Sequence, residues 1–394
     1  MEVKIEKARA EDRDEIIDLA NYVFSHSRGV TDFPAALPKL YKREYFMDST
    51  HYVIREDGRI KASLGAYPLE WEFQSGSGLP GRGVGMVSVH PYYRSKGYMS
   101  YLVEKAMDDM KNDGIVFSCL SGHRQRYEYF GYSPAGSLYK FTFFERNIRH
   151  VLGTRWNTDL VINPVGPEDK NFLDGIYAFH EAKISRMHRQ REKIFEILSS
   201  YKSKAYAVTC GNRLEGYFVI RTYRTGEHVI GEINLQDYSR LPEVLGLYMN
   251  QSNQEPLIVN ANPHEREKIS TLFRFAETHS LGPAYHFSVF DFPRFTESFL
   301  KLASKQKNLA DGFFVLEIDH GPRLSLTVSN GSPSLETIAV SENTGAADLC
   351  LDKLDAQQFL FSPLAREVFP VIGENVFLQN LLPLPLFYEN TDAI

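Results

Sequence analysis

Residues 87–100 read VSVHPYYRSKGYMS, so an apolar, strand-like run stops at Pro91 and a helical pattern follows Gly97. A helix N-terminus offers free backbone N–H groups and the positive end of a dipole, and together these bind phosphate. Gly97 has no Cβ, so a ligand can approach the main chain closely there. Arg94 and Lys96 add positive charge at the same spot. The chemistry this spells is a pyrophosphate site. No GxxxxGK[ST] occurs anywhere in the chain, which argues against a P-loop nucleotidase. Taken alone, RxxGxM also fits a basic loop that caps a helix.

The elements that must position this loop can be read outward from it. Residues 82–89 form the strand that leads in. After Gly97, Met99, Leu102, Val103, Ala106 and Met110 share one face of a helix that stops at Asn112-Asp113-Gly114. IVFSCL (115–120) reads as a strand buried on both sides, and Cys119 within it as a buried structural thiol. Upstream, 3–8 alternate as a strand and 11–24 carry a helical apolar face. A less regular helix is expected near 34–47, and 51–73 read as a hairpin turning at Asp57-Gly58. A Gly/Ser/Pro loop spans 75–81. The order is β-α-α-β-β-β-α-β.

YVIREDGRIKAS (52–63) and YAVTCGNRLEGY (206–217) match in their tyrosines, apolar positions, turn and arginine. An internal duplication of a whole domain is the reading. It predicts a second copy of the loop at INLQDYSRLPE (233–243). There Tyr238 aligns with Tyr92, Arg240 with Arg94, and Glu243 with Gly97. A carboxylate at the glycine position repels an anion, so the second copy is expected to be degenerate. After a helical stretch at 294–306, FFVLEIDHG, RLSLTVSNG and SLETIAVS alternate as an antiparallel sheet. A helix near 355–361 follows. The stretch SRMHRQREK, with His188, reads as a solvated basic helix face.

Bulk properties exclude several classes. The 394 residues carry 44 Lys+Arg against 50 Asp+Glu, a net charge of −6, which disfavours nucleic acid as the partner. The three cysteines form no CxxC, and no His/Cys/Asp cluster has metal spacing, so neither a disulfide framework nor a metal is expected. No apolar run is long enough to span a membrane, and the N-terminus has no secretory h-region. A cytoplasmic protein is expected.

The element order, with R-x-x-G-x-x opening the helix after the fourth strand, resembles the GNAT acetyltransferase family over residues 1–150. Met99 stands where most of that family has Gly or Ala. A bulky residue there is tolerated in the enhanced-intracellular-survival (Eis) branch. RQRYEYFGYSPAG (124–136) resembles that branch's second signature, a tyrosine followed by F-G-Y-x-P-A. With both signatures the resemblance spans the whole chain. The implied fold class is mixed α/β: an active GNAT domain (1–150), a degenerate GNAT domain (151–290) and a sterol-carrier-like α/β domain (291–394).

The resemblance implies roles for individual residues. Val87, Ser88 and Val89 would pair through their main chain with the pantetheine arm of acetyl-coenzyme A, the co-substrate. Arg94, Ser95, Lys96, Gly97, Tyr98, Met99 and Ser100 would hold its pyrophosphate, with Gly122 and His123 nearby. Tyr127 would protonate the leaving thiolate, while Tyr132 packs. The α-carboxylate of Ile394 would reach the site as the base, although the relatives end in an aromatic residue. Glu389 and Asp392 would help draw in a polycation. The acceptor would be a small-molecule amine, an aminoglycoside or similar polycation, and the assembly a homo-oligomer, a hexamer. The alternatives are acetylation of a protein lysine or polyamine, and a non-catalytic protein that holds an apolar ligand in the C-terminal domain.

Overall fold

The computed structural model describes residues 4–29, 31–74, 76, 78–153, 156–339 and 346–394. Val3, Ser75, Ser77, Val340 and Ser341, which belong to the expected first strand, Gly/Ser/Pro loop and SLETIAVS strand, lie outside them.

The first half contributes β1 (Ile5–Lys7), β2 (His51–Glu56), β3 (Arg59–Phe73), β4 (Gly78–Val89), β5 (Phe117–Leu120) and β6 (Ser133–Phe143). β2 turns into β3 through Asp57 and Gly58 at φ 52° and 72°, the pair of positive values that a tight two-residue hairpin needs. Residues in β2 alternate between two cores. Tyr52 and Ile54 pack under the helix Tyr98–Asn112, whereas Val53 packs with Ile16, Leu19 and Ala20 of the helix Arg13–Arg28. The sheet is therefore covered on both faces.

The second half contributes β7 (Leu160–Pro164), β8 (Ser185–Met187), β9 (Lys204–Cys210), β10 (Arg213–Thr222), β11 (His228–Leu235), β12 (Leu257–Ala261) and β13 (Thr278–Val289). Its hairpin closes on Cys210 opposite Arg213, as the first closes on Glu56 opposite Arg59, so the sequence repeat is a repeat of register. The path β1-β2-β3-β4-β5-β13-β6-β12-β11-β10-β9-β7, with β8 on β3, makes one 13-stranded sheet among the described residues. β13 of the second half pairs with β5 of the first, β6 of the first pairs with β12 of the second, and β6 and β13 pair with each other. Each half is thus completed by a strand from the other.

Beyond the helix Phe292–Gln306, β14 (Gly312–Ile318), β15 (Arg323–Ser329), β16 (Ser332–Ile338) and β17 (Leu349–Leu351) form a second sheet in the order β16-β15-β14-β17. Its core is continuous with Trp71, Phe117 and Phe287 of the large sheet.

Three expectations are corrected. The stretch 34–47 is not one helix but two short ones, Phe33–Ala36 and Pro38–Tyr41, because Pro38 has no N–H to continue the ladder. Residues 78–81, expected in a loop, already belong to β4 through pairing with β3. β14, β15 and β16 pair antiparallel as expected, and β17, which the sequence reading did not include, adds to β14 in parallel. SRMHRQREK is not a helix: Ser185–Met187 is β8, and Arg189 is 1% exposed. Among the described residues no helix is long and apolar enough to cross a membrane, and no group of three metal-ligating side chains is gathered.

Candidate active site

The site begins where two parallel strands part. β4 and β5 pair from Gly81–Phe117 to Val84–Leu120, where β5 ends and β4 runs on to Val89. On its other side β4 slips one residue against β3: Gly65 faces Gly85 but Ser63 faces Ser88, with Met86 at φ 52°. This bulge bends and twists β4 away from β5. Residues 85–89 consequently have no strand partner on the β5 side among the described residues. Val87 and Val89 pack partly buried on the core, and the buried Ser88 Oγ donates to the Met86 carbonyl at 3.1 Å. What this stretch offers to the gap is main chain.

A single 3-10 turn, Pro91–Tyr93, carries the chain to the loop. Ser95 and Gly97 take left-handed φ values of 64° and 78°, and Gly97 caps the helix Tyr98–Asn112. Such a φ is nearly free for glycine only. The amides of Tyr98, Met99 and Ser100 open the helix, so none has an intrahelical acceptor. Residues 94–97 are exposed. Lys96 Nζ lies 2.9 Å from Glu56 Oε1 and over the Tyr93 ring, so its charge is largely matched. Arg94 makes no ion pair among the described residues and is the loop's available cation. Met99, the bulky residue at the signature's small position, packs partly buried on the core beneath the helix.

Past β5, Gly122 and His123 are exposed, and His123 caps the short helix Arg124–Tyr127. The Tyr127 ring fills the space beside Gly122: a Cβ there would stand 2.4 Å from Tyr127 Cε2. Tyr127 is 8% exposed, and its hydroxyl has no hydrogen-bond partner among the described residues. Burial raises this hydroxyl above the ordinary tyrosine pKa, so it holds its proton. Tyr132 is packed: its hydroxyl meets Ser118 Oγ at 2.8 Å, and burial pushes its pKa up as well. The Cys119 thiol is buried and pushed up to about 12, which leaves it inert as a nucleophile.

Ile394 lies against β4 at the point of divergence. A Cβ on Gly83 would stand 2.0 Å from Ile394 Cδ1, and one on Gly85 2.9 Å from Cγ2. The absence of side chains at these two positions is what admits Ile394. Its carbonyl oxygen lies 3.5 Å from Tyr285 Oη. Glu389 and Asp392, expected to face an incoming acceptor, are tied up instead: the part-buried Glu389 pairs with Lys183 and the buried Asp392 with Arg189.

Several residues at the site carry no sequence signal. Tyr67 packs beside Gly85 and Ile394, and its hydroxyl joins Tyr41 Oη and, at 3.1 Å, His51 Nε2 in a fully buried chain. Burial holds the His51 imidazole at a pKa of about 4, so it is neutral. Tyr41, His51, Tyr67 and Tyr285 come from separate elements with no common spacing, and only the tertiary fold gathers them.

Residues 4–135 match the family model described as an acetyltransferase (GNAT) domain. No curated protein matches the chain in sequence. Among solved structures, the chain is similar to a GCN5-related N-acetyltransferase from Kribbella flavida at 16% identity and TM-score 0.66, covering 100% of this chain and 98% of that one. It is also similar to a probable N-acyltransferase from Enterococcus faecalis at 16% identity and TM-score 0.69, with 100% of both chains covered. For Eis1 from Mycobacterium abscessus the values are 14% and 0.59, covering 100% and 99%. These are likenesses of fold over the whole length. The parted strands and the left-handed loop both fall within residues 4–135, the stretch that is similar to an acetyltransferase (GNAT) domain.

Proposed function

We propose that the chain transfers acetyl from acetyl-coenzyme A to a primary amine of a small polycationic acceptor of the aminoglycoside type. The observation that carries this reading is the parting of β4 from β5 beside an exposed loop whose glycine and arginine are unobstructed. The main chain of Val87–Val89 takes the pantetheine arm as an added strand. The amides and charge of Arg94–Ser100 hold the pyrophosphate, and Gly122 and His123 flank the thioester. The amine nitrogen attacks the thioester carbonyl, the C–N bond forms, and the C–S bond breaks. Tyr127 gives its proton to the departing thiolate and regains one from the nitrogen, which sheds its second proton as the amide forms. A carboxylate carried at Ile394 takes the proton from the incoming ammonium. In the same reading the chain divides into GNAT units at 1–150 and 151–290 and a sterol-carrier-like unit at 291–394, and works as a cytoplasmic homohexamer.

The test is thiol release from acetyl-coenzyme A over a panel of aminoglycosides, polyamines and lysine peptides. Tyr127→Phe should lower kcat by about 10²–10⁴-fold while calorimetry shows an unchanged Kd for acetyl-coenzyme A. Turnover only with lysine peptides or polyamines would replace the acceptor class. Unaltered kcat in Tyr127→Phe would remove the assigned acid.

A further inference from the structure

The second half has a cleft of its own, and the C-terminal segment fills it. β11 and β12 pair in parallel only from His228–Leu257 to Ile230–Val259, and β11 then runs on to Leu235. Its register against β10 slips between Val219 and Ile220, as β4 slips against β3. The single turn Asn390–Asp392 sits in this opening. Asn390 Cβ lies 3.2 Å from where a Cβ on Gly231 would stand, and the Thr391 hydroxyl donates to Glu232.

Arg189 holds the segment there. Its Nε lies 2.7 Å from Asp392 Oδ1, and its Nη2 lies 2.7 Å from Thr391 Oγ1 and 2.9 Å from Glu232 Oε2. Lys183 Nζ reaches both Glu232 and Glu389 at 2.9 Å. The segment therefore brings two carboxylates to a second half that presents two cations around one carboxylate. Burial opposes ionisation of Glu232, but Arg189 and Lys183 outweigh it and hold its carboxyl well below the usual range. From the first half, Lys39 Nζ donates to the Thr391 carbonyl at 2.9 Å. Only Ala393 separates this anchor from Ile394, a reach of about 7 Å at most. Fixing Asp392 thus fixes Ile394 against Gly83 and Gly85.

We infer that Arg189 is a positioning residue: the second half's cleft is a binding site for the protein's own C-terminal segment, and its buried charges lay Ile394 along β4 of the first cleft. The effect on rate rests on the acetyl-transfer reading above; the anchoring itself does not. The experiment compares the full-length protein with Asp392→Asn and with Thr391→Val, which deletes only the hydroxyl shared by Arg189 and Glu232. Hydrogen exchange, acetyl-coenzyme A binding and steady-state kinetics are measured on each. Asp392→Asn should speed exchange in 386–394 by at least about tenfold and lower kcat by about tenfold, with Thr391→Val shifting both the same way by less. The Kd for acetyl-coenzyme A and exchange in 87–100 should stay unchanged, which a general loss of structure would not leave intact. Exchange in 386–394 unchanged in both variants overturns the anchor, and release of the segment without loss of kcat overturns the positioning role. If the parent protein acetylates no amine, the reaction assignment has failed on its own, and exchange alone decides the anchor.

Discussion

At the first strand–helix junction Arg94 is exposed and free of ion pairs among the described residues, and the helix starts behind a left-handed Gly97. At the second, Arg240 Nη2 lies 2.7 Å from Glu243 Oε2 and also bonds Thr158 and Asp159. The second helix starts earlier, at Leu241, and buries Leu241 and Pro242 in its first turn. The same strand, turn and helix therefore present an exposed loop with an unpaired arginine among the described residues in one copy and a closed ion-pair network in the other. The clefts differ in the same sense: the first is parted with its β4 edge unpaired, and the second is packed with Asn390–Asp392. The bulged strand survives in both copies, so the copies differ not in the scaffold but in the loop residues and in what occupies the cleft.

This contrast can be broken deliberately. The largest effect is expected from Gly97→Glu, which installs the second copy's residue in the first. It adds a repelling charge and forces a side chain to φ 78°, so the Kd for acetyl-coenzyme A should rise more than about 100-fold with circular dichroism unchanged; a rise under threefold removes the loop from the site. Gly122→Ala comes next. Its new Cβ collides with the Tyr127 ring, and kcat should drop about thirtyfold through displacement of the hydroxyl at nearly constant Kd. Arg94→Gln should weaken acetyl-coenzyme A binding about tenfold and flatten its dependence on salt in titration calorimetry. The smallest effect is expected from the mirror substitution: Arg240→Gln should leave binding and kcat within about twofold and lower the melting temperature by less than about 4 °C, since its ion pairs are part-exposed. If Arg240→Gln weakens coenzyme binding as much as Arg94→Gln, the two loops are not functionally distinct.

The legible features were local ones. The Asp57-Gly58 turn, the helix behind Gly97, the strand at 115–120 and the matching hairpin at 206–217 all follow from spacing and turn chemistry, which act over a few residues. So did the contrast between Gly97 and Glu243. The ion partner of Glu243 was legible, since Arg240 lies one helical turn away, whereas Thr158, which donates to Glu243, and Asp159, which pairs with Arg240, come from the segment before β7. SRMHRQREK misled because a dense run of cations normally faces water. Arg189 is buried instead, since Glu232 and residues 391–392 supply matching acceptors from far along the chain. Likewise Glu389 and Asp392, read as bait for a cation, already hold cations of their own.

By itself, then, the sequence determined the elements, the repeat, the glycine-containing loop and its glutamate-bearing counterpart, because each is written in neighbouring residues. Only the tertiary structure decided that β6 and β13 are exchanged between the halves, that Ile394 rests on Gly83 and Gly85, and that one cleft stays open while the other holds the C-terminal segment. Those outcomes depend on pairing and burial between residues more than a hundred positions apart, where local propensity is silent and only packing and charge matching select the partner.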